Sequence, residues 1–193
     1  MKRVCVFCGS NPGRRPAYRA AAIALGHLLA ERGIGLVYGG GNIGLMGIIA
    51  EAVLEKGGFV TGVIPQVLMD QELAHQRIQD LRVVRSMHER KALMADLSDG
   101  FIALPGGFGT FEEFCEIVTW SQLGLQEKRC GLLNVENYYQ PLLALFDQAV
   151  EEGFLMRENR QIVLAHSEPR PLLDALLACK PVSRRPWLSS NNR

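Results

Sequence analysis

What the sequence lacks narrows it before any motif is read. It has almost no net charge: 21 Lys and Arg stand against 20 Asp and Glu over 193 residues, leaving +1. A protein that grips nucleic acid or anionic lipid mainly through phosphates carries a basic surplus, so neither a nucleic-acid nor a membrane partner is expected. Cysteine is sparse and odd in number: Cys5, Cys8, Cys115, Cys130 and Cys179. That is no disulfide framework, and reduced thiols in a cytoplasmic protein are the expectation. Cys5 and Cys8 form one C-x-x-C, but no second pair completes a zinc site, and in a strand positions three apart face opposite sides of the sheet. No long apolar run is present either. The longest uncharged stretch, Gly33 to Ala50, holds seven glycines and Asn42, which suits a loop-bearing segment and excludes a membrane span. Met1-Lys2-Arg3 leads at once into alternating apolar residues, without the apolar run and cleavage site of a signal peptide. Neither a Walker A lysine motif nor G-x-S-x-G occurs, which leaves P-loop hydrolysis and serine esterase chemistry without support.

What is present is the composition of a soluble globular domain, with 48% apolar and 21% charged residues. Short apolar runs alternate with longer helical patterns, the signature of a parallel sheet with crossover helices. The runs predict strands at Val4–Cys8, Gly35–Tyr38, Phe59–Ile64, Leu81–Val84, Gly100–Leu104, Arg129–Leu133 and Ile162–Ala165. The patterns predict helices over about Pro16–Arg32, Leu45–Lys56, Met87–Leu97, Phe111–Leu123, Gln140–Glu152 and Pro171–Ala178. One domain over residues 1–179 and a polar tail over 180–193 follow. The polar segment from Pro65 to Asp80 reads as a surface helix or a cover over the strand ends.

Ligands of open α/β folds bind at the carboxyl ends of the strands, and the informative residues sit there. Gly9-Ser10 follows the first strand, Gly39-Gly40-Gly41-Asn42 the second, Arg85 to Lys91 the fourth, and Pro105 to Thr110 the fifth. Glycine-rich loops opening a helix let backbone N–H groups approach an anion, and a phosphate is the obvious guest. Gly39-x-Gly41-x-x-Gly44 formally matches the dinucleotide fingerprint, but the next strand ends in Val63-Ile64-Pro65-Gln66, without the acid that binds a ribose diol. Tight packing of glycines or a nucleotide pocket of another kind explains it better.

Ser86-Met87-His88-Glu89 fits a capping box. On the helix it opens, Met87, Met94 and Leu97 make an inward stripe on which Arg90 also falls. A guanidinium on an apolar face needs an anionic partner, from a structural salt bridge or from a ligand. Lys91 beside it reads as a solvated charge, and His88 as a surface residue or one standing behind the site rather than a catalytic one. Thr110-Phe111-Glu112-Glu113 is a second possible capping box. Glu113 can therefore be a cap, or a carboxylate held near a substrate at the helix end whose dipole favours it.

Ser86-Met87-His88-Glu89-Arg90-Lys91, followed by Pro105-Gly106-Gly107-Phe108-Gly109-Thr110-Phe111-Glu112-Glu113, resembles the LOG ("Lonely Guy") family of cytokinin riboside 5′-monophosphate phosphoribohydrolases. Cys8-Gly9-Ser10, Tyr38-Gly39-Gly40-Gly41 and Trp120-Ser121-Gln122-Leu123-Gly124 extend the likeness over Val4 to about Ala178. The resemblance implies a Rossmann-like three-layer fold, with a mostly parallel sheet of about seven strands and helices on both faces. It implies a homodimer that hydrolyses the N-glycosidic bond of adenosine 5′-monophosphates, with or without an N6-prenyl group, using no metal or other cofactor. Carried over by motif, Arg90 and Glu113 are the catalytic pair. Glu72, Lys91, Gly107, Phe108, Gly109, Thr110, Phe111, Glu112 and Thr119 line the substrate site, with Gly9, Ser10, Gly40, Gly41 and Met87 behind it. Older labels call such proteins lysine decarboxylases, but the sequence offers no argument for a pyridoxal phosphate site.

The chemistry agrees with the residues. Hydrolysis at the anomeric carbon passes through an oxocarbenium-like state, which an ionised carboxylate such as Glu113 stabilises. The 5′-phosphate would anchor on the amides of Gly107 to Thr110. Two alternatives stay open: a non-catalytic nucleotide or molybdenum-cofactor carrier of the same fold, and a broader purine nucleotide nucleosidase. The helix Phe111–Leu123 carries apolar residues on more than one face, so a second apolar partner is expected for it.

Overall fold

In the computed structural model of the protein, which describes residues 1–69 and 74–178, the apolar runs form a single seven-stranded sheet. Its strands are β1 (Arg3–Phe7), β2 (Gly35–Tyr38), β3 (Val60–Pro65), β4 (Asp80–Val84), β5 (Gly100–Ala103), β6 (Cys130–Leu133) and β7 (Val163–His166). The order is β4-β3-β2-β1-β5-β6-β7, with every neighbouring pair parallel. Such strands are covered on both faces, which is why β1, β2, β5 and β6 read as nearly unbroken apolar runs.

Between them run α1 (Pro16–Glu31), α2 (Gly44–Glu55), α3 (Gln66–Met69), α4 (Met87–Asp96), α5 (Phe108–Gln122), α6 (Gln140–Glu151), α7 (Arg157–Arg160) and α8 (Pro169–Ala178). A 3₁₀ turn at Val135–Asn137 precedes α6. The side chains of β1 alternate between two cores. Val4, Val6 and Cys8 join the cluster under α1, α2 and α8, whereas Cys5 and Phe7 join the one under α4, α5 and α6. The C-x-x-C is thus split across the sheet, both thiols buried, as its strand placement requires.

Several expectations need correction. Among the described residues the segment after β3 shows the short helix α3 at Gln66–Met69, β3 running through Pro65 and Ala74 pairing with Gly41. The turn α7 has too few apolar positions to show a helical period. Cys115 is exposed, being on the outward side of α5. The expected tail, Cys179 just before it, and Glu72 lie outside the described residues. No helix among the described residues is long and apolar enough to cross a membrane.

Candidate active site

The chain leaves β1 toward β2 and later returns to lay β5 on its other side, so the loops after β1 and β5 diverge over a crevice. Glycine makes this crossing possible. The Gly9 N–H donates to the Pro105 carbonyl at 3.1 Å, and the Gly9 carbonyl accepts from Leu45 N at 3.0 Å. Gly44 has φ +59°, and a β-carbon there would fall 2.2 Å from the Ser10 carbonyl carbon. No side chain fits, so the G-x-G-x-x-G spacing serves close packing of the β1 and β2 loops.

Helix α4 supplies Arg90 and Lys91. Its start is the expected cap: Ser86 Oγ accepts from Glu89 N at 3.1 Å, while Glu89 Oε2 accepts from Arg85 N at 2.8 Å. Met87 does not lie on an inward stripe; it is exposed and touches Arg90 Nη1 through its sulfur at 3.8 Å. Arg90 itself is buried, 5% exposed. It runs under the strand ends, where Nε donates to the Val63 carbonyl at 3.1 Å and Nη2 to the Gly39 carbonyl at 2.9 Å.

Lys91 is not a solvated charge. It is buried, and its ammonium pairs with Glu112 and, at 2.9 Å, with Glu116 of α5. Desolvation pulls its pKa down, but the two carboxylates outweigh it and hold the ammonium above the usual lysine range. Sequence reading missed Glu116, whose position one turn past Glu112 was the available signal. A Schiff-base lysine needs the opposite environment, one that lowers its pKa. Lys91 therefore does not fit pyridoxal phosphate chemistry.

Helix α5 begins at Phe108 with Gly107 as N-cap, three residues earlier than the expected cap at Thr110. The second capping box is not formed, because Thr110 is already inside the first turn and buried, with its hydroxyl against Gly106. Capping therefore does not explain Glu113, one turn further on. Burial foremost, then the charge of Glu113, raises the pKa of the Cys5 and Cys8 thiols, while the charge of Arg90 lowers it. The charges of Arg90, from α4, and of Glu113, from α5, are thus both felt at Cys8, just past the end of β1.

Around that spot the remaining candidates divide. Gly107 and Gly109 have open space where a side chain would project, and Phe108 between them is 92% exposed. Gly40 and Gly41 are buried under the residues after Ala74, His75 N donating to the Gly40 carbonyl at 3.0 Å. Thr119 is exposed three turns along α5, its hydroxyl bonded to the Cys115 carbonyl at 2.7 Å. Phe111 packs with Tyr138 and Tyr139, ring centroids 6.4 and 6.3 Å away. Those tyrosines went unnoticed, since nothing in Asn137-Tyr138-Tyr139-Gln140 shows that the chain returns to β5. Together with Gly9, Ser10 and Tyr18, Tyr138 borders a cavity of about 220 Å³ between the β1 and β5 loops. Among the described residues no group of His, Cys, Asp and Glu is arranged to hold a metal.

Comparison with known proteins places this geometry among relatives. The family model described as "Possible lysine decarboxylase" matches residues 46–176. "Probable cytokinin riboside 5'-monophosphate phosphoribohydrolase LOGL1" of Oryza sativa subsp. japonica is 54% identical over 171 residues, covering 89% of this chain and 77% of that one. Cytokinin riboside 5'-monophosphate phosphoribohydrolase LOG3 of Arabidopsis thaliana is 48% identical over 184 residues, covering 95% and 86%. Among solved structures, the molybdenum cofactor binding protein of Rippkaea orientalis superposes with a TM-score of 0.69 at 20% identity, over 92% of this chain and 97% of that one. At that identity the likeness concerns the fold alone.

Proposed function

The chain belongs to the LOG family of phosphoribohydrolases, and on that premise we propose that it hydrolyses the N-glycosidic bond of cytokinin riboside 5′-monophosphates, of AMP, or of both. Water adds to the anomeric carbon, the bond to the purine nitrogen breaks, and the base leaves with a proton, yielding free base and ribose 5-phosphate. What supports this reading is the placement of buried Arg90 on α4 and half-buried Glu113 on α5, their charges both felt at Cys8 just past β1, beside the glycine loop that opens α5.

Glu113 stabilises the positive charge that develops on the sugar, or orients the attacking water. Arg90 is held by two backbone carbonyls and keeps a fixed guanidinium plane for the ribose or the departing base. The first-turn amides of α5 hold the 5′-phosphate, and binding energy at that remote group keeps the sugar in its reactive geometry. Lys91, with Glu112 and Glu116, ties α4 to α5 and so keeps Arg90 and Glu113 in register.

The exposed Leu123 and Leu125 beside α5 support a homodimer built on this helix. Light scattering at micromolar concentration checks it, and a mass near 21.3 kDa refutes it. Free thiols at all four described cysteines suit the cytoplasm. The domain spans residues 1–179, with 180–193 as an appended tail.

Incubation with AMP and with its N6-isopentenyl analogue, followed by chromatography, tests the activity. Release of adenine or isopentenyladenine with equimolar ribose 5-phosphate is expected. Tight binding of both nucleotides without turnover would instead support a carrier.

A further inference from the structure

The peptides that open α5 are fixed from behind by residues outside both signature motifs. Tyr138, at the end of the 3₁₀ turn before α6, donates its hydroxyl to the Gly106 carbonyl at 2.5 Å. The neighbouring Pro105 carbonyl accepts from Gly9 N at 3.1 Å, and Tyr139 donates to the Leu104 carbonyl at 2.6 Å. Three successive carbonyls of the β5 loop are thus held. In a trans peptide the N–H points opposite to the C=O. Holding the Pro105 and Gly106 carbonyls therefore turns the N–H groups of Gly106 and Gly107 away from Gly9 and Tyr138, where they extend the row of donors begun by the first turn of α5. Successive main-chain donors of this kind form a concavity for an anion.

Tyr138 is itself held firmly. Its ring meets Tyr18 of α1 edge-on at 5.8 Å, Tyr139 edge-on at 5.1 Å and Phe111 of α5 in a stack at 6.4 Å. The turn that delivers it passes through Glu136 and Asn137 in the left-handed region, φ 53° and 59°, and Arg15 pairs with Glu136 at 3.1 Å. A turn of two non-glycine residues in that region is costly and persists only where its surroundings fix it.

We propose that Tyr138 is a positioning residue for the phosphate anchor: its hydroxyl sets the Gly106 peptide so that the Gly107 N–H faces the ligand's phosphate. This inference rests on the reading of the α5 N-terminus as the phosphate site. Tyr138→Phe keeps the ring and its three aromatic neighbours and removes only the hydroxyl. The Kd for ribose 5-phosphate, by titration calorimetry, and the KM for AMP are expected to rise together by about three- to tenfold, the effect of one hydrogen bond. The kcat and the melting temperature stay near the parent's. Free ribose is titrated alongside.

If the parent prefers ribose 5-phosphate to ribose and Tyr138→Phe keeps that preference in full, this inference fails and the functional reading stands. Losses confined to kcat and melting temperature also overturn it, since they mark a merely structural tyrosine. If the parent itself binds ribose and ribose 5-phosphate alike, the phosphate anchor falls and the inference with it.

Discussion

Arg90 and Gly39 are fitted to one another: Nη2 of the arginine donates to the Gly39 carbonyl at 2.9 Å, and a β-carbon on Gly39 would stand 2.1 Å from that same nitrogen. The guanidinium occupies the space that any other residue would fill. Gly39→Ala should therefore push Arg90 off its two carbonyls with little damage to the sheet, because β2 ends at Tyr38. A displacement of about 1 Å at a catalytic group can cost about 10²-fold. Steady-state base release from AMP is expected to fall by that order, and activity within a fewfold of the parent would show that Arg90 need not hold this position.

Glu113→Gln keeps the volume and removes the charge. Loss of one preorganised electrostatic group costs roughly 10²–10³ in kcat, and free adenine measured by chromatography should drop accordingly while the circular dichroism spectrum is unchanged. Turnover within twofold would remove Glu113 from the chemistry.

Lys91→Met would leave Glu112 and Glu116 facing each other without their cation. Since Glu112 is half-exposed, the cost is discounted to about 1–3 kcal/mol, roughly 2–10 °C of melting temperature for a chain of this size. The pKa of Lys91 is raised in the folded protein, so its stabilisation is complete below the ordinary lysine value of 10.5 and is lost only as the pH climbs through the higher folded value. Melting curves should show a constant gap between parent and variant from pH 7 to 10 that narrows above. A gap that closes below pH 9 would contradict this pairing.

His75 predicts sensitivity at the other end of the scale. It is buried, Nδ1 accepts from Arg77 N at 3.3 Å, and Nε2 lies 3.0 Å from a Glu51 carboxylate that Arg77 shares. Burial lowers its pKa below the ordinary 6.5. The folded protein thus favours the neutral ring, and its contribution is present above pH 6.5 and lost as the pH falls below it. The parent should lose melting temperature from pH 7 to 5 more steeply than His75→Asn, and parallel curves would refute the effect.

Most of the sheet could be read from the sequence because its central strands, covered on both faces, write short apolar runs bounded by turn residues. The seven expected strands each coincide with an observed one to within a residue or two. The start of α5 was misplaced because glycine caps a helix through its backbone, leaving no side-chain signature, whereas Thr110 followed by Glu113 offered a conspicuous false one. Lys91 was misread for a related reason: its partners Glu112 and Glu116 lie on a different helix, and the sequence around α4 holds no trace of them. Tyr138 was invisible because its role depends on the register of α6 against β5.

The donors proposed for the phosphate are backbone amides of Gly106 to Gly109, and amides do not titrate. A cradle made of side chains would weaken or strengthen as its own lysines and histidines changed charge. With the 5′-phosphate held there as proposed, the acidity that matters belongs to the guest, whose phosphate passes from one negative charge to two near pH 6. Affinity for ribose 5-phosphate should then follow the ligand's second ionisation, and residues that recognise the base could change without disturbing that anchor.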